Sequence, residues 1–181
     1  MNRFRLLAAL CVFCGVLFAA PSFAGADEDS RLRNISIDAG ATMSTSPASG
    51  WESATGLSFG LVYRLGNNAG IRVAVERYKF PGIDPSLTYT RMPVFLGGRF
   101  YFWGFGDIWS HADLGMEMSI DQRQYLSGGA VLTEDQNNMG GAALYGMLYE
   151  VTEHLFMGAD VKWHLNKNSY WSYGVYLGIV F

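Results

Sequence analysis

The sequence predicts an all-β fold, an eight-stranded antiparallel up-and-down transmembrane β-barrel preceded by a cleavable leader. Three observations carry this. Eight segments of roughly ten residues alternate apolar with polar or small side chains, as strands do when their two faces meet different surroundings. That length exceeds the five or six residues typical of soluble strands and matches the nine to eleven of strands tilted across a bilayer. The polar parity carries glycine and charges of both signs, where a water-facing sheet would carry many Lys, Glu and Thr residues; this fits a narrow, filled lumen.

The chain opens "MNRFRLLAALCVFCGVLFAAPSFA", with Arg3 and Arg5, an apolar run from Leu6 to Ala20 and small residues before position 25. This is the pattern of a secretory signal peptide over residues 1–24, cleaved after Ala24. The run is shorter than the roughly 20 residues of a spanning helix. Cys11 and Cys14 leave with it, so the remaining 157 residues hold no cysteine and can build neither disulfides nor thiolate sites. Two of the thirteen basic residues leave too and all sixteen acidic ones stay, for a net charge near −5. No basic patch exists to displace counterions from nucleic acid. Residues 25–31 then read as a short acidic periplasmic leader and 32–181 as the barrel.

The first segment sets Ile35, Ile37, Ala39, Ala41 and Met43 against Ser36, Asp38, Gly40 and Thr42. The second sets Leu57, Phe59, Leu61 and Tyr63 against glycines, Ser58 and Arg64. In the third, Ile71, Val73 and Val75 oppose Arg72, Ala74 and Glu76. In the fourth, Met92, Val94, Leu96, Phe100 and Phe102 oppose Arg91, Arg99 and Tyr101. The fifth alternates Ala112, Leu114, Met116, Met118 and Ile120 with His111, Asp113, Gly115, Glu117 and Ser119. The sixth, around Ala143, Tyr145, Met147 and Tyr149, has Leu144 and Leu148 on its other face, which leaves its parity ambiguous. The seventh sets Leu155, Met157, Ala159, Val161 and Trp163 against Gly158, Asp160, Lys162 and His164. The eighth sets Trp171, Tyr173, Val175, Leu177, Ile179 and Phe181 against Ser172, Gly174, Tyr176 and Gly178.

Connections of alternating length orient the barrel. "GNNAG", "WGFGD" and "VTEH" are the short periplasmic turns; "STSPASGWES", "PGIDPS", "DQRQYLSGGAVLTEDQNN" and "NKNS" face outside. Tyr63, Phe102, Trp103 and Tyr149 fall near periplasmic strand ends and Trp163 and Trp171 near the outer rim, where aromatic girdles belong. Pro93 lacks an N–H inside a closed sheet, which predicts a bulge or local break there.

The closing "VYLGIVF", with apolar residues alternating up to Phe181, and "MPVFLGGRFYF" before a tight turn resemble the small eight-stranded outer-membrane barrel families, the opacity-protein-like and OmpX-like domains. The resemblance implies a monomer in the outer membrane of a Gram-negative bacterium, among lipid and lipopolysaccharide. It also makes Tyr173, Val175, Leu177, Ile179 and Phe181 the signal read by the barrel assembly machinery. Such families include adhesins and complement-resistance factors, so fold alone leaves the role open.

On the inward parity Arg64, Arg72, Arg91, Arg99 and Lys162 balance Asp38, Glu76, Asp113, Glu117 and Asp160. Balance is what a packed lumen needs, since buried charges must pair; a selective pore would show one dominant sign. His111 and His164 belong to opposite ends and His154 to a turn, so no metal site is expected, and no cofactor. His164 and Ser172 face one another near the outer rim, a pairing that lipid A deacylases resemble. No carboxylate follows His164, however, and both side chains point away from lipid, so the expectation is not an enzyme. Residues 121–138 read as the longest outer loop, with Tyr125, Leu126, Val131 and Leu132 as an apolar patch that could meet an extracellular partner. The function expected is structural or surface-interaction, with a lipid A-modifying enzyme or a narrow small-solute channel as the alternatives.

Overall fold

Alternation along the chain becomes inside and outside in the structure, a computed structural model that describes residues 35–181 other than 67, 85 and 128. The signal peptide (1–24) and acidic leader (25–31) read from the sequence lie outside the described residues. The strands are β1 (Ile35–Ser44), β2 (Ala54–Arg64), β3 (Ala69–Pro81), β4 (Thr88–Phe105), β5 (Ile108–Ser127), β6 (Ala130–Thr152), β7 (Leu155–Leu165) and β8 (Tyr170–Val180). Each pairs antiparallel with its neighbours in sequence, and β8 returns to β1 to close the barrel. The end holding Ile35 and Phe181 is the near end; the opposite end is the far end.

Stagger fixes the shape. From Thr42, paired residues lead through Gly56, Tyr78, Arg91 and Asp121 to Gln136. In the other direction they lead through Gly174 and Asp160 to Gly146, ten residues farther along the same strand. Ten residues of about 3.3 Å gained over eight strands spaced about 4.8 Å apart tilt the strands by about 40°.

The outer face is apolar along its length. Leu57 is 73 % exposed, Met116 and Val175 each 62 %, and Trp163 stacks flat on Trp171 at 5.5 Å between ring centroids. A water-soluble domain does not leave a continuous belt of this kind uncovered; lipid covers it at no cost. Strand six resolves the same way, with Tyr145, Met147 and Tyr149 outside and Leu144 and Leu148 buried in the lumen.

Inside, glycine makes room for each large neighbour. Asp38 pairs with Gly60, His111 with Gly146, Tyr176 with Gly158 and Asp160 with Gly174. A Cβ on Gly60 would stand 2.5 Å from the Asp38 carboxylate, and one on Gly158 2.5 Å from the Tyr176 ring. At these positions the lumen leaves no room for a methyl group.

One expectation is corrected and another is narrowed. Residues 121–138 are not a loop: β5 and β6 continue as a regular ladder from Asp121↔Gln136 to Ser127↔Ala130 and turn at Gly129, whose φ is +82°. Tyr, Val and Thr favour extended backbone, and glycine supplies the left-handed turn residue, so strands of 20 and 23 residues replace segments of ten. At Pro93 the expected disruption is a local break and not a bulge. Pro93 pairs with Ser119 in unbroken register, and the irregularity in β4 lies at Tyr101/Trp103. On the β3 side pairing lapses between Val75↔Val94 and Tyr78↔Arg91 and resumes in the same phase. The missing N–H therefore costs a local break without a shift.

Candidate functional site

The inward side chains stack in tiers along the barrel axis. Nearest the chain ends, Tyr101, Leu148, Phe156 and Tyr176 form an apolar plug, and the Arg64 guanidinium lies 4.5 Å over the Tyr101 ring. Above it, the Asp113 carboxylate accepts two hydrogen bonds from Arg99, at 2.7 and 2.8 Å, and one from Arg72 at 3.3 Å; Arg72 also donates to Asp38 at 3.4 Å. His111 sits beside Asp113 and within hydrogen-bonding distance of the Tyr176 hydroxyl. Fork-to-carboxylate pairing of this kind is the strong form of the ion pair, and all four groups, Arg72, Arg99, Asp38 and Asp113, are sealed from solvent.

The next tier joins Glu76, Lys162, Glu117, His164 and Ser172. Lys162 reaches Glu76 at 2.9 Å and Glu117 at 3.2 Å. The Glu117 carboxylate can only accept, so His164 donates to it from Nδ1 at 2.7 Å; Nε2 of the neutral ring is then left to accept from the Ser172 hydroxyl at 2.9 Å. Glu117, His164 and Ser172 thus form an acid–imidazole–hydroxyl chain across β5, β7 and β8. The sequence pairs His164 with Ser172 but shows no carboxylate after them to orient the ring. The carboxylate comes from a strand distant in sequence, which only the closed barrel brings near.

That chain has the connectivity of a nucleophile with its base, but not the access. Ser172 is 2 % exposed, and Tyr170 stacks on the His164 ring at 4.0 Å. Farther out, Tyr78, Phe80, Tyr89 and Ala54 pack together under Trp51. The Tyr78 hydroxyl donates to Glu76 at 2.7 Å and lies 3.0 Å from Thr42 Oγ1.

At the far mouth Asp121 accepts from the Tyr89 hydroxyl at 2.9 Å and from Asn138 at 2.7 Å, and Arg91 donates to Ser119 at 3.1 Å. Of the ten charges read from the sequence, eight enter ion pairs. Arg64 lies against an aromatic ring, and Asp160 makes no ion pair within 4 Å among the described residues. In the sequence Asp121 opens the stretch that reads as an outer loop; continuing the parity of Glu117 and Ser119 by two residues places it inside. Among the described residues no group of three His, Asp or Glu is arranged to hold a metal ion. The outward residues Tyr173, Val175, Leu177 and Ile179 of β8 form one exposed stripe with Phe181 just beyond it, and Phe181 donates its N–H to the Ile35 carbonyl at 2.8 Å.

No protein-family model matches the chain, nor does any curated sequence. Solved structures do. Neisserial surface protein A (NspA) superposes with a TM-score of 0.62 at 19 % identity, over 81 % of this chain and 97 % of that one. Ail, the attachment invasion locus protein of Yersinia pestis, gives 0.61 at 14 % identity over 83 % and 100 %. The N-terminal β-barrel domain of Pseudomonas aeruginosa OprF gives 0.59 at 13 % identity over 82 % and 98 %. The fold is that of the small outer-membrane β-barrels. In this outer-membrane barrel fold the apolar belt is the lipid-facing wall, and the tiers of paired charge fill the lumen.

Proposed function

We propose that the protein lies in the outer membrane of a Gram-negative bacterium and acts there as a non-enzymatic surface-interaction barrel, through the β5–β6 hairpin. One observation supports this most directly. Pairing of β4 with β5 ends at Tyr89↔Arg123, and pairing of β6 with β7 begins only at Gly141↔Leu165. The hairpin therefore rises from the far end with two unpaired edges, and Tyr125, Leu126, Val131 and Leu132 are exposed on it. Free strand edges beside apolar side chains take up an extended segment of another protein by strand addition. The names of two similar folds, a surface protein and an attachment invasion locus protein, are in keeping with such a role.

The filled lumen favours this over conduction, and the burial of Ser172 favours it over catalysis; in this reading the Glu117–His164–Ser172 chain is structural. Replacing residues 124–133 with an Asn-Gly turn leaves Asp121 and Asn138 in place, so the barrel should still migrate as a heat-modifiable band. Adhesion or serum resistance of the expressing cells should fall to the level of a deletion strain. Full retention of the phenotype with the short turn would refute the proposal.

A further inference from the structure

We infer that the far mouth of the lumen binds one tetrahedral oxyanion, a phosphate or sulfate group, between Arg91, Arg123 and Lys167. A cavity of about 40 Å³ opens there, lined by these three residues, Asp121, Asn138 and Asn166 among others. A water needs about 10–15 Å³ on this measure, so the space suits a few waters or a single oxyanion, with any larger body of the ligand left outside.

Charge and unmet hydrogen bonding define what it takes. Three cations face one carboxylate. Asp121 is already engaged at Oδ2 by Tyr89 and Asn138, and its Oδ1 lies 3.5 Å from Arg91 Nε without forming a hydrogen bond. Arg91 is 1 % exposed, yet its Nε has no acceptor, and the buried Nε of Arg123 has none either. The two guanidiniums are held in place from behind, Arg91 over the Tyr170 ring and Arg123 over the Tyr89 ring, both at 4.7 Å. Buried donors without acceptors are costly, and rigidly placed guanidinium forks are suited to a tetrahedral oxyanion. Lys167, exposed in the β7–β8 connection, adds charge at the entrance.

The test is titration calorimetry on the protein purified from membranes in a zwitterionic detergent, at ionic strength held constant with chloride. Inorganic phosphate, sulfate and glucose 1-phosphate are the probes. One saturable site per chain is expected. Arg123→Gln should weaken it about tenfold, the loss of one charge-assisted contact, and Lys167→Gln measurably less. Lys79→Gln, on the outer face, should leave it unchanged. Lys167 lies in an exposed connection, so its variant keeps the test valid should Arg123→Gln fold poorly. Equal affinity for inorganic phosphate and glucose 1-phosphate would assign the site to the free ion; tighter binding of glucose 1-phosphate would assign it to sugar-borne phosphate. Absence of saturation up to about 20 mM, where even a millimolar site is filled, or binding indifferent to both substitutions, would overturn the inference.

Discussion

Asp113 offers the most demanding test of the lumen. Its carboxylate takes both prongs of Arg99 at 2.7 and 2.8 Å and one donor of Arg72 at 3.3 Å, and it is wholly buried. Asp113→Ala leaves Arg99 with no carboxylate in contact. Arg72 keeps only its 3.4 Å bond to Asp38. An ion pair broken from one side inside a protein costs about 3–5 kcal/mol, because the surviving charge stays desolvated and uncompensated. Arg99 alone accounts for that range, and the half-freed Arg72 places the expectation at its upper end.

Removing the stranded charge as well should restore most of the loss. Arg99→Met fills similar volume without charge, so the double variant Asp113→Ala/Arg99→Met should lie well above Asp113→Ala alone. Reversible urea unfolding in lipid vesicles, followed by tryptophan fluorescence and fitted by linear extrapolation, is applied to the wild type, Asp113→Ala, Arg99→Met and the double variant, and the four free energies give the coupling. A loss below about 1 kcal/mol for Asp113→Ala, or a double variant no better than the single, would refute the view that this tier carries compensated charge in a dry lumen.

Gly158→Ala sets a methyl group 2.5 Å from the Tyr176 ring and should cost about 1–3 kcal/mol in the same assay. Gly66→Ala, with open space around it, should stay within about 0.5 kcal/mol. A fluorophosphonate probe should leave the folded protein unlabelled at Ser172; labelling abolished by Glu117→Gln would instead establish an active nucleophile. Phe181→Ala should reduce the heat-modifiable fraction in the outer membrane while the refolded protein keeps its stability, and an undiminished fraction in cells would contradict an assembly role for the last residue.

Strand number, the parity of every strand but the sixth and the charged inventory are legible because each depends on a period of two that survives in a single sequence; in the sixth, Leu144 and Leu148 put apolar side chains on both faces. Asp38, Glu76, Arg99 and Lys162 could be placed inside from their neighbours alone. Which of them meet could not, since that depends on the ten-residue stagger. Glu117 reaches His164 across 47 positions because tilt brings β5 and β7 to one level. The hairpin is hidden in the sequence for a different reason: polar residues such as Gln122, Glu134 and Asp135 signal a loop in water-soluble proteins. Above a membrane they also suit a strand with water on both faces.

A barrel with a level rim would offer the same aspect from every bearing. Here β4, β5 and β6 are 18, 20 and 23 residues long, whereas β7 and β8, with 11 each, and β1, with 10, stop short. The rim is a wall on one flank and a sill on the other, and the stacked Trp163 and Trp171 belong to the low side. Seen in the plane of the membrane, the molecule has a front and a back, so a neighbour drifting past meets either bare bilayer or a standing sheet according to the side from which it comes.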